Sequence, residues 1–307
     1  MDKIYADVIP IIVTYNPVRE TLLASLNQLL PQVKTIVIVD NASNTDIADI
    51  IRSLKTKEYN KINLIALEHN YGVGKAYNVG ISIARSLNAT FVLLLDHDSI
   101  PESDMLDKLY GVFVYLEGQE KAVCVVGPRY LDLATAQLSQ FVRINQFGLT
   151  RLVCDDTTDY VQTDFLISSG SLISLKSLNQ IGDMDEDLFI DHIDTEWCFR
   201  AKSKGFEMYG VCHAFMQHAL GDRQMRIWWG RWRSIPFHQP FRYYYMFRNS
   251  VSLWQRPYMP VAWKRDDKLR TLCFIFFFTI FSPNRLANLR MMLKGLKDGL
   301  HKQMGKL

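Results

Sequence analysis

Two aspartates separated by one residue follow a short apolar segment of the sequence. Residues 91–95 are all apolar and run directly into Asp96, His97 and Asp98. A run that is apolar on both faces predicts a central strand covered by helices, and the carboxylates must mark its end because they cannot stay buried without partners. Residues i and i+2 of an extended chain point the same way, so both carboxylates can bind one cation. Such oxygen ligands favour Mg²⁺ or Mn²⁺, although a polar turn after an ordinary strand gives the same pattern.

A second acidic cluster lies within residues 189–200. Asp191, Asp194 and Glu196 are crowded together before a predicted helix. Carboxylates this close raise one another's pKa, which can prepare one of them to act as a base. Acidic residues also stabilise helix N-termini, so a capping role is the alternative interpretation.

The first half of the chain alternates strands and helices at short spacing. We predict strands at 8–15, 35–39, 62–67 and 91–95, and helices at 19–30, 45–54 and 75–87. This order indicates an α/β fold with a parallel, right-handed, doubly wound sheet. The carboxyl ends of parallel strands meet at one edge, where open α/β sheets bind ligands. Asp40, Asn70 and Asp96 are therefore predicted to share a site.

The second half of the chain is less regular. We predict helices at 105–116 and 187–204, strands at 122–126 and 207–217, and loops or short strands at 129–159. His218 follows the last strand and is a candidate metal ligand, although a single histidine is more often structural. His213 competes with it but lies inside the predicted strand.

Charge divides the 307 residues into two parts. Residues 1–221 carry 18 Lys and Arg against 28 Asp and Glu, whereas residues 222–307 carry 17 against 4. An acidic part followed by a basic part implies two tasks, and the basic part could contact nucleic acid or an anionic membrane. The five cysteines form no CxxC pair, and the N-terminus has no signal-peptide pattern. We therefore expect reduced thiols in a cytosolic protein.

The basic part has features typical of a membrane surface contact. Residues 226–233 and 242–248 interleave aromatic and basic side chains, with Trp228, Trp229 and Trp232 among them. Residues 272–281 are apolar but too few to span a bilayer as a helix. Residues 285–300 predict a basic amphipathic helix, which suits the plane of a membrane surface. The alternative is a helix packed on the core of its own domain with its lysines in solvent.

Together these segments resemble the inverting family 2 glycosyltransferases of GT-A fold, and are most similar to the bacterial rhamnosyltransferases of surface-polysaccharide synthesis. The motifs, in chain order, are VTYNP, VDNAS, HNYGVGKAYNVG, LLLDHDSIP, SSGSLIS, FIDHIDTEWCFR and HALGD. Each is weak alone, but their combined order over residues 8–250 is specific. The resemblance implies a Rossmann-like nucleotide-binding sheet flanked by helices in residues 1–221, and a helical, basic-aromatic extension in residues 222–307.

The resemblance also implies a role for individual residues. Those expected to bind the nucleotide sugar are Thr14, Tyr15, Asn16, Asp40, Asn70, Gly72, Asn78 and Asp96. Those expected to bind the metal, Mg²⁺ or Mn²⁺, are Asp98, Asp96 and His218. The family pattern Glu-Asp-x-Asp reads Ile193-Asp194-Thr195-Glu196 here. This departure leaves Asp194 as the expected base, with Asp191 as a possible substitute.

The implied reaction is transfer of a sugar from a dTDP- or UDP-sugar, with dTDP-L-rhamnose the expected donor. The implied acceptor is a saccharide on polyprenyl diphosphate, at an anionic membrane surface on the cytoplasmic side, with no nucleic acid involved. The alternatives are another UDP- or dTDP-sugar, a nucleotidyltransferase or a basic RNA-binding protein. The segment 14–17 lacks the Gly- and basic-rich signature of a nucleotidyltransferase, and we find no RNA-binding motif.

Overall fold

The computed structural model describes residues 3–54, 57–133, 136–218, 223–228, 232–282 and 284–307. At 57, 223–228 and 232–236 it describes the backbone alone. Trp229, one of the three tryptophans expected at a membrane interface, lies outside these residues, as do the residues that follow His218 in the HALGD motif.

The first half of the chain is a parallel α/β unit, as predicted. Its elements are β1 (Val8–Thr14), α1 (Arg19–Leu29), β2 (Ile36–Asp40), α2 (Ile47–Arg52), β3 (Ile62–Ala66), α3 (Val73–Ser86) and β4 (Phe91–Asp96). The strands lie in the order β3-β2-β1-β4, and every neighbouring pair is parallel. Their carboxyl ends therefore share one edge of the sheet, which holds Asp40 and Asp96.

The second half extends the same sheet with mixed strand directions. Its elements are β5 (Ser99–Pro101), α4 (Met105–Gly118), β6 (Val123–Asp132), β7 (Gln137–Leu138), β8 (Val142–Asn145), β9 (Gly148–Arg151), β10 (Tyr160–Thr163), β11 (Leu172–Ser174), α5 (Leu175–Ile181), α6 (Ile193–Ser203) and β12 (Glu207–His218). Within the described residues the sheet continues from β4 in the order β11-β6-β12-β10. Three-residue β11 is antiparallel to both β4 and β6. His213 lies inside β12, as predicted.

Both faces of the sheet are covered by helices. Along β1, Ile11 belongs to the apolar cluster shared with α3, α5 and α6, whereas Ile12 belongs to the cluster shared with α1, α2 and α4. Successive strand residues point to opposite faces, so a strand buried on both faces needs a continuous apolar sequence. All seven residues of β1 are buried.

The helix predicted over 187–204 is wrong at its start. It begins at Ile193, and an acidic loop (residues 185–192) precedes it. Phe189, Asp191 and His192 have positive φ angles near 64°. A right-handed helix cannot pass through such residues, so the chain turns sharply there before α6 begins.

The C-terminal part adds a hairpin and three helices. These are β13 (Arg223–Trp228), β14 (Trp232–Phe237), α7 (Pro240–Trp254), α8 (Val261–Phe281) and α9 (Arg285–Leu300). The bounds of α9 are those predicted. The aromatic-basic segment 242–248, taken as a membrane contact, lies on α7 and is buried at most of its positions. That expectation is wrong for this segment because its rings pack against α8, α9 and the loop before α6. Among the described helices, none is long and apolar enough to cross a membrane.

The expectation that all five cysteines are reduced is wrong for two of them. Cys154 and Cys212 form a disulfide across 58 residues of sequence. Strand β10 pairs with β12, and this pairing brings the two residues together with their Cα atoms 5.4 Å apart, within the range of a disulfide. The free cysteines are Cys124, Cys198 and Cys273.

Candidate active site

The ends of β1 and β2 are joined through Asp40. Thr14, buried at the end of β1, donates a hydrogen bond of 2.7 Å from its hydroxyl to Asp40 Oδ1. The backbone N–H of Ser43 donates to Asp40 Oδ2 at 3.0 Å. Asn16 accepts a bond from the Asn44 N–H, while Tyr15 is exposed beside it. These bonds fix the loops after β1 and β2 relative to each other.

The loop after β3 is attached to the same edge by a pair of amides. Asn41 donates to Asn70 Oδ1 at 3.0 Å and accepts from the Tyr71 N–H at 2.9 Å. Gly72 has φ +88°, and a Cβ there would lie 2.4 Å from the carbonyl oxygen of Phe189. Only glycine allows this approach, so the structure brings the 70–72 loop against the acidic loop.

Asn78 lies on α3 and faces the acidic loop. Its amide donates to the Met184 carbonyl and to Glu186 Oε1, at 2.9 and 2.8 Å, and accepts from the Met184 N–H. The amide therefore ties α3 to the start of the loop. The contact of Asn78 with a sugar donor, which the sequence resemblance implied, stays a prediction.

Asp96 ends β4 and is held by a buried tyrosine. The Tyr77 hydroxyl donates to Asp96 Oδ1 at 2.7 Å, and the Asp96 N–H donates to the Ser169 hydroxyl at 3.0 Å. Burial, followed by the charge of Asp98, raises the pKa of Asp96 above its usual value. A cation beside both carboxylates would oppose both causes.

Asp96, Asp98 and His218 form a candidate metal centre. Their ligand atoms lie within 4.8 Å of one another. Burial opposes ionisation of Asp98, but His218 outweighs it and holds the pKa of Asp98 below its usual value. Asp98 Oδ1 is buried and lies 3.2 Å from His218 Nδ1. Two carboxylates and an imidazole suit Mn²⁺ or Mg²⁺, so the residues present fit a divalent cation.

Two serine hydroxyls form a hydrogen-bonded chain that ends at the ring of His218. Ser169 donates to the Ser99 hydroxyl at 2.7 Å, and Ser99 Oγ lies 2.7 Å from His218 Nδ1. Both serines are buried. Ser169, in the SSGSLIS segment, thus links the end of β4 to the imidazole through Ser99. A histidine ligand held through its ring in this way keeps a fixed orientation.

Asp194 lies in the first turn of α6 and is the carboxylate best suited to act as a base. Its Oδ1 accepts the Thr195 N–H at 2.7 Å. Burial is the largest cause that raises its pKa, and the charges of Asp96 and Asp191 add to it, giving a value of about 6. A carboxylate with this pKa accepts a proton more readily than an ordinary aspartate while remaining ionised at neutral pH.

Asp191 and Glu196 are bound to arginines. The Arg242 guanidinium lies 3.1 Å from Asp191 Oδ1. Glu196 is fully buried and paired with Arg200 at 2.8 Å and with Arg256 at 3.1 Å. A buried carboxylate held by two arginines is a structural ion cluster, and removing one partner would leave an uncompensated charge. Of the three acidic residues of this segment, Asp194 has no cation among the ion-pair partners described.

Two residues of α7 fix the acidic loop. The Asn249 amide donates to the carbonyls of Leu188, Ile190 and Asp191, at 3.0, 2.7 and 2.9 Å. Arg248, fully buried beside it, donates to the carbonyls of Asp187 and Leu188. These carbonyls of the acidic loop have no α-helical N–H to accept from, because the loop is not an α-helix, and the two side chains supply the missing hydrogen-bond donors.

Sequence reasoning missed several of these residues. They are Asn41, Tyr77, Ser99, Ser169, Arg242, Arg248 and Asn249. Tyr77 and Asn41 stand inside the motifs quoted above, so their position was a usable signal. Arg248 and Asn249 lie about 60 residues beyond the loop that they bind, and no local pattern connects them.

Comparisons with known sequences agree with the family resemblance. The model of the family "Glycosyl transferase family 2" matches residues 10–175. The chain is 28% identical over 297 residues to the dTDP-rhamnosyl transferase RfbF of Shigella flexneri, covering 96% of each protein. It is 24% identical to the glycosyltransferase GlyG of Streptococcus pneumoniae over 175 residues, which is 56% of this chain and 55% of that protein.

Comparisons with solved structures agree with the GT-A fold. GalNAc-T7 bound to UDP, GalNAc and Mn²⁺ has a TM-score of 0.59 and 13% identity, covering 97% of this chain and 56% of that one. Residues 1–349 of S. aureus TarS with UDP-GlcNAc have a TM-score of 0.58 and 16% identity, covering 96% and 81%. At these identities the likeness concerns the fold alone.

Proposed function

This chain belongs to glycosyl transferase family 2, and on that premise we propose that it transfers L-rhamnose from dTDP-L-rhamnose to a saccharide carried on polyprenyl diphosphate. The observation that carries the proposal is the juxtaposition of the Asp96, Asp98 and His218 cluster with the raised-pKa carboxylate of Asp194. The donor is taken from the similarity to the Shigella rhamnosyl transferase over nearly the whole of both chains.

The donor would lie along the edge of the sheet at the ends of β1, β2 and β4. The thymine imide N–H would donate to Asp40, with Thr14, Tyr15 and Asn16 around the nucleoside and with Asn70, Gly72 and Asn78 along the donor. Asp98, Asp96 and His218 would hold the divalent cation. When bound, Mg²⁺ or Mn²⁺ offsets the negative charge that grows on the departing diphosphate.

Asp194 performs the proton transfer in this proposal. Its carboxylate accepts the proton of an acceptor hydroxyl as the hydroxyl oxygen bonds to the anomeric carbon. The bond from that carbon to the diphosphate oxygen breaks on the opposite face, and dTDP leaves with the electron pair. A single displacement inverts the anomeric configuration and needs one base and no nucleophile. The arginines on Asp191 and Glu196 support this choice because, among the side chains that the structure describes, Asp194 is the carboxylate of the three without an ion-pair partner.

The acceptor and the location belong to the same proposal. Polyprenyl diphosphate confines the acceptor to a membrane, so the enzyme would work as a peripheral protein at the cytoplasmic face of the cell membrane. The basic C-terminal part, with 17 Lys and Arg against 4 Asp and Glu, supports contact with an anionic surface.

A panel of nucleotide sugars tests the donor. The purified chain is incubated with dTDP-L-rhamnose, dTDP-glucose, UDP-glucose and UDP-GlcNAc in Mn²⁺ or Mg²⁺, and released nucleotide is measured. We expect dTDP release from dTDP-L-rhamnose to exceed release from the other donors. Preferential cleavage of a UDP-sugar would replace the proposed donor, and cleavage of none would count against sugar transfer.

A further inference from the structure

Helix α9 packs against α7 through a face that contains few large side chains. Its buried residues include Met292, Gly295 and Gly299. A Cβ on Gly295 would lie 2.4 Å from the Tyr244 carbonyl, and one on Gly299 would lie 2.6 Å from the Arg248 carbonyl. The glycines thus allow the backbones of α7 and α9 to approach closely. The side of α9 that carries Gly295 and Gly299 is therefore buried in the protein interior.

Three of the five leucines of α9 lie on a different side and stay exposed, whereas Leu289 and Leu296 are half-buried. Leu286 is 82% exposed, Leu293 52% and Leu300 66%. They follow one another at intervals of seven residues, so they form a row along the helix, about one-third of a turn away from the packed face. Helix α9 therefore packs on its own domain with its basic residues in solvent, as in the alternative interpretation, but these three leucines lie outside that contact.

Helix α8 presents a similar row beside it. Its packed side holds Phe278 and Thr271, whereas Leu272, Phe276 and Ile280 are exposed at spacings of four. Phe281, also exposed, contacts the ring of Phe277 where α8 ends and the turn to α9 begins. The outer strip is defined here by six residues, Leu272, Phe276, Ile280, Leu286, Leu293 and Leu300. Helices α8 and α9 pack against each other, and exposed apolar residues clustered on neighbouring elements are typical of an interaction site.

The exposed charges of α9 have one sign. On α9 the basic residues Arg290, Lys294 and Lys297 lie next to the leucine row. The single acid of residues 284–307, Asp298, is buried and accepts a hydrogen bond from Tyr244. No exposed carboxylate of α9 therefore opposes an anionic partner.

We propose that the outer strip of α8 and α9 is the surface that inserts into the headgroup region of an anionic lipid bilayer. The proposal rests on the proposed function, which places the acceptor in a membrane, and it assigns the contact to particular residues. Apolar rows bordered by lysine and arginine are the pattern of helices that lie in a membrane interface. The packed glycine face holds the helix to the enzyme while the leucine face remains available to lipid.

Lipid fits this surface better than a second copy of the chain. A symmetric dimer through the outer strip would bring the Arg290, Lys294 and Lys297 rows of two molecules together, and like charges across an interface oppose association. An anionic bilayer offers negatively charged headgroups to the basic residues and an apolar interior to the leucines.

Vesicle flotation tests the proposal. Three full-length proteins are compared on phosphatidylcholine vesicles with and without phosphatidylglycerol: wild type, the strip variant Leu286→Gln/Leu293→Gln/Leu300→Gln, and a control. The control, Leu87→Gln/Val114→Gln/Tyr115→Gln, changes three comparably exposed apolar residues on or beside α3 and α4. We expect the strip variant to lose binding to anionic vesicles by about tenfold or more and the control to stay within about twofold.

The salt concentration separates the electrostatic contribution to vesicle binding from the apolar contribution. Arg290→Gln/Lys294→Gln/Lys297→Gln should lose the part of binding that low salt strengthens, whereas the strip variant should lose the part that persists in high salt. If circular dichroism shows that the strip variant does not fold, the single variant Leu286→Glu replaces it in the vesicle assay. Leu286 makes few contacts within the protein, and a carboxylate there should still abolish insertion.

The outcomes are distinct from those for sugar transfer. Equal vesicle binding by the strip variant and the control would overturn the proposal, as would a wild type that ignores anionic vesicles. Wild-type dimers that the strip variant converts to monomers, without vesicle binding, would assign the strip to a second copy. Donor cleavage in solution is measured on the same samples: its absence would count against the proposed function while leaving the vesicle result valid.

Discussion

At the scale of single residues, the carboxylates of Asp98 and Asp194 are both partly buried but have pKa values shifted in opposite directions. His218 overcomes the effect of burial and lowers the pKa of Asp98, whereas burial and the neighbouring acids raise that of Asp194 to about 6. A group kept ionised suits a cation, and a group that binds a proton readily suits a base. The two environments thus favour different proposed roles, a metal ligand for Asp98 and a base for Asp194.

Replacing Asp98 should weaken the metal centre without unfolding the chain. Asp98→Asn removes the charge of the carboxylate whose Oδ1 lies 3.2 Å from His218 Nδ1. We expect Mn²⁺ affinity and sugar transfer to fall by about 100-fold. Calorimetric titration with Mn²⁺ measures the first quantity. Asp104→Asn makes the same change at a more exposed position paired with Lys108 and should leave both unchanged; unaltered Mn²⁺ binding by Asp98→Asn would exclude it as a ligand.

The pH dependence of transfer should report Asp194. Its pKa of about 6 means that the base is ionised above that value, so kcat/KM should rise as pH increases through about 6 and then level. A bound cation favours the ionised form and would move the inflection somewhat lower. Asp191→Asn removes one cause of the raised pKa and should also lower the inflection. A pH-independent rate across this range in the wild type would transfer the base role to another group.

At the scale of elements, the acidic loop depends on a helix that lies far away in the sequence. Phe189, Asp191 and His192 adopt left-handed backbone conformations, which cost free energy unless the surroundings impose them. Asn249 on α7 satisfies three carbonyls of this loop. Asp194 follows the loop directly, so α7 determines where the candidate base points.

Asn249→Leu should therefore impair catalysis more than donor binding. Each loop carbonyl left without a donor costs about 1–3 kcal/mol of stability, and a displaced base lowers kcat by about 10- to 100-fold. We expect the KM for the donor to change little, because the proposed nucleoside contacts lie at the ends of β1 and β2. Asn288→Leu is the matched control: it also replaces a buried asparagine, but one that bonds Ser282. If both variants lose kcat to a similar extent, the loss in Asn249→Leu reflects reduced stability and not displacement of Asp194.

The same elements mark how far the sequence could predict the fold. Strands β1, β2 and β4 follow from continuous apolar runs, because burial on both faces leaves no room for polar residues. The helices between them follow from helical spacing of apolar residues. The start of α6 did not follow, since positive φ angles at Phe189 and Asp191 leave no trace in residue types. Short β11 was not predicted because three residues carry too little periodicity.

At the scale of the whole molecule, contacts distant in sequence account for what the sequence could not supply. Asp96, Asp98 and His218 were each expected at the site from motifs, and they do meet. The Cys154–Cys212 disulfide joins residues 58 positions apart. The leucine row of α9 could be foreseen, but which side of the helix packs depended on Gly295 and Gly299 against α7.

The acidic and basic parts of the chain both contribute to the candidate site. The acidic N-terminal part holds the site, and the basic C-terminal part both packs on that site through α7 and carries the outer strip on α8 and α9. The predicted boundary between residues 221 and 222 stays a prediction. The bonds from Arg248 and Asn249 into the acidic loop nevertheless mean that the C-terminal part contributes to the site as well as to the surface.

Transfer from dTDP-L-rhamnose by wild type and Asp194→Asn is the most direct test of the central claim, which is inverting sugar transfer with Asp194 as base. Donor binding is measured by calorimetry, and the product's anomeric configuration by NMR. We expect wild type to give a product of inverted configuration, and Asp194→Asn to bind the donor with similar affinity while transferring at least about 100-fold more slowly. Normal transfer by Asp194→Asn, or a product that retains the donor's configuration, would contradict the claim.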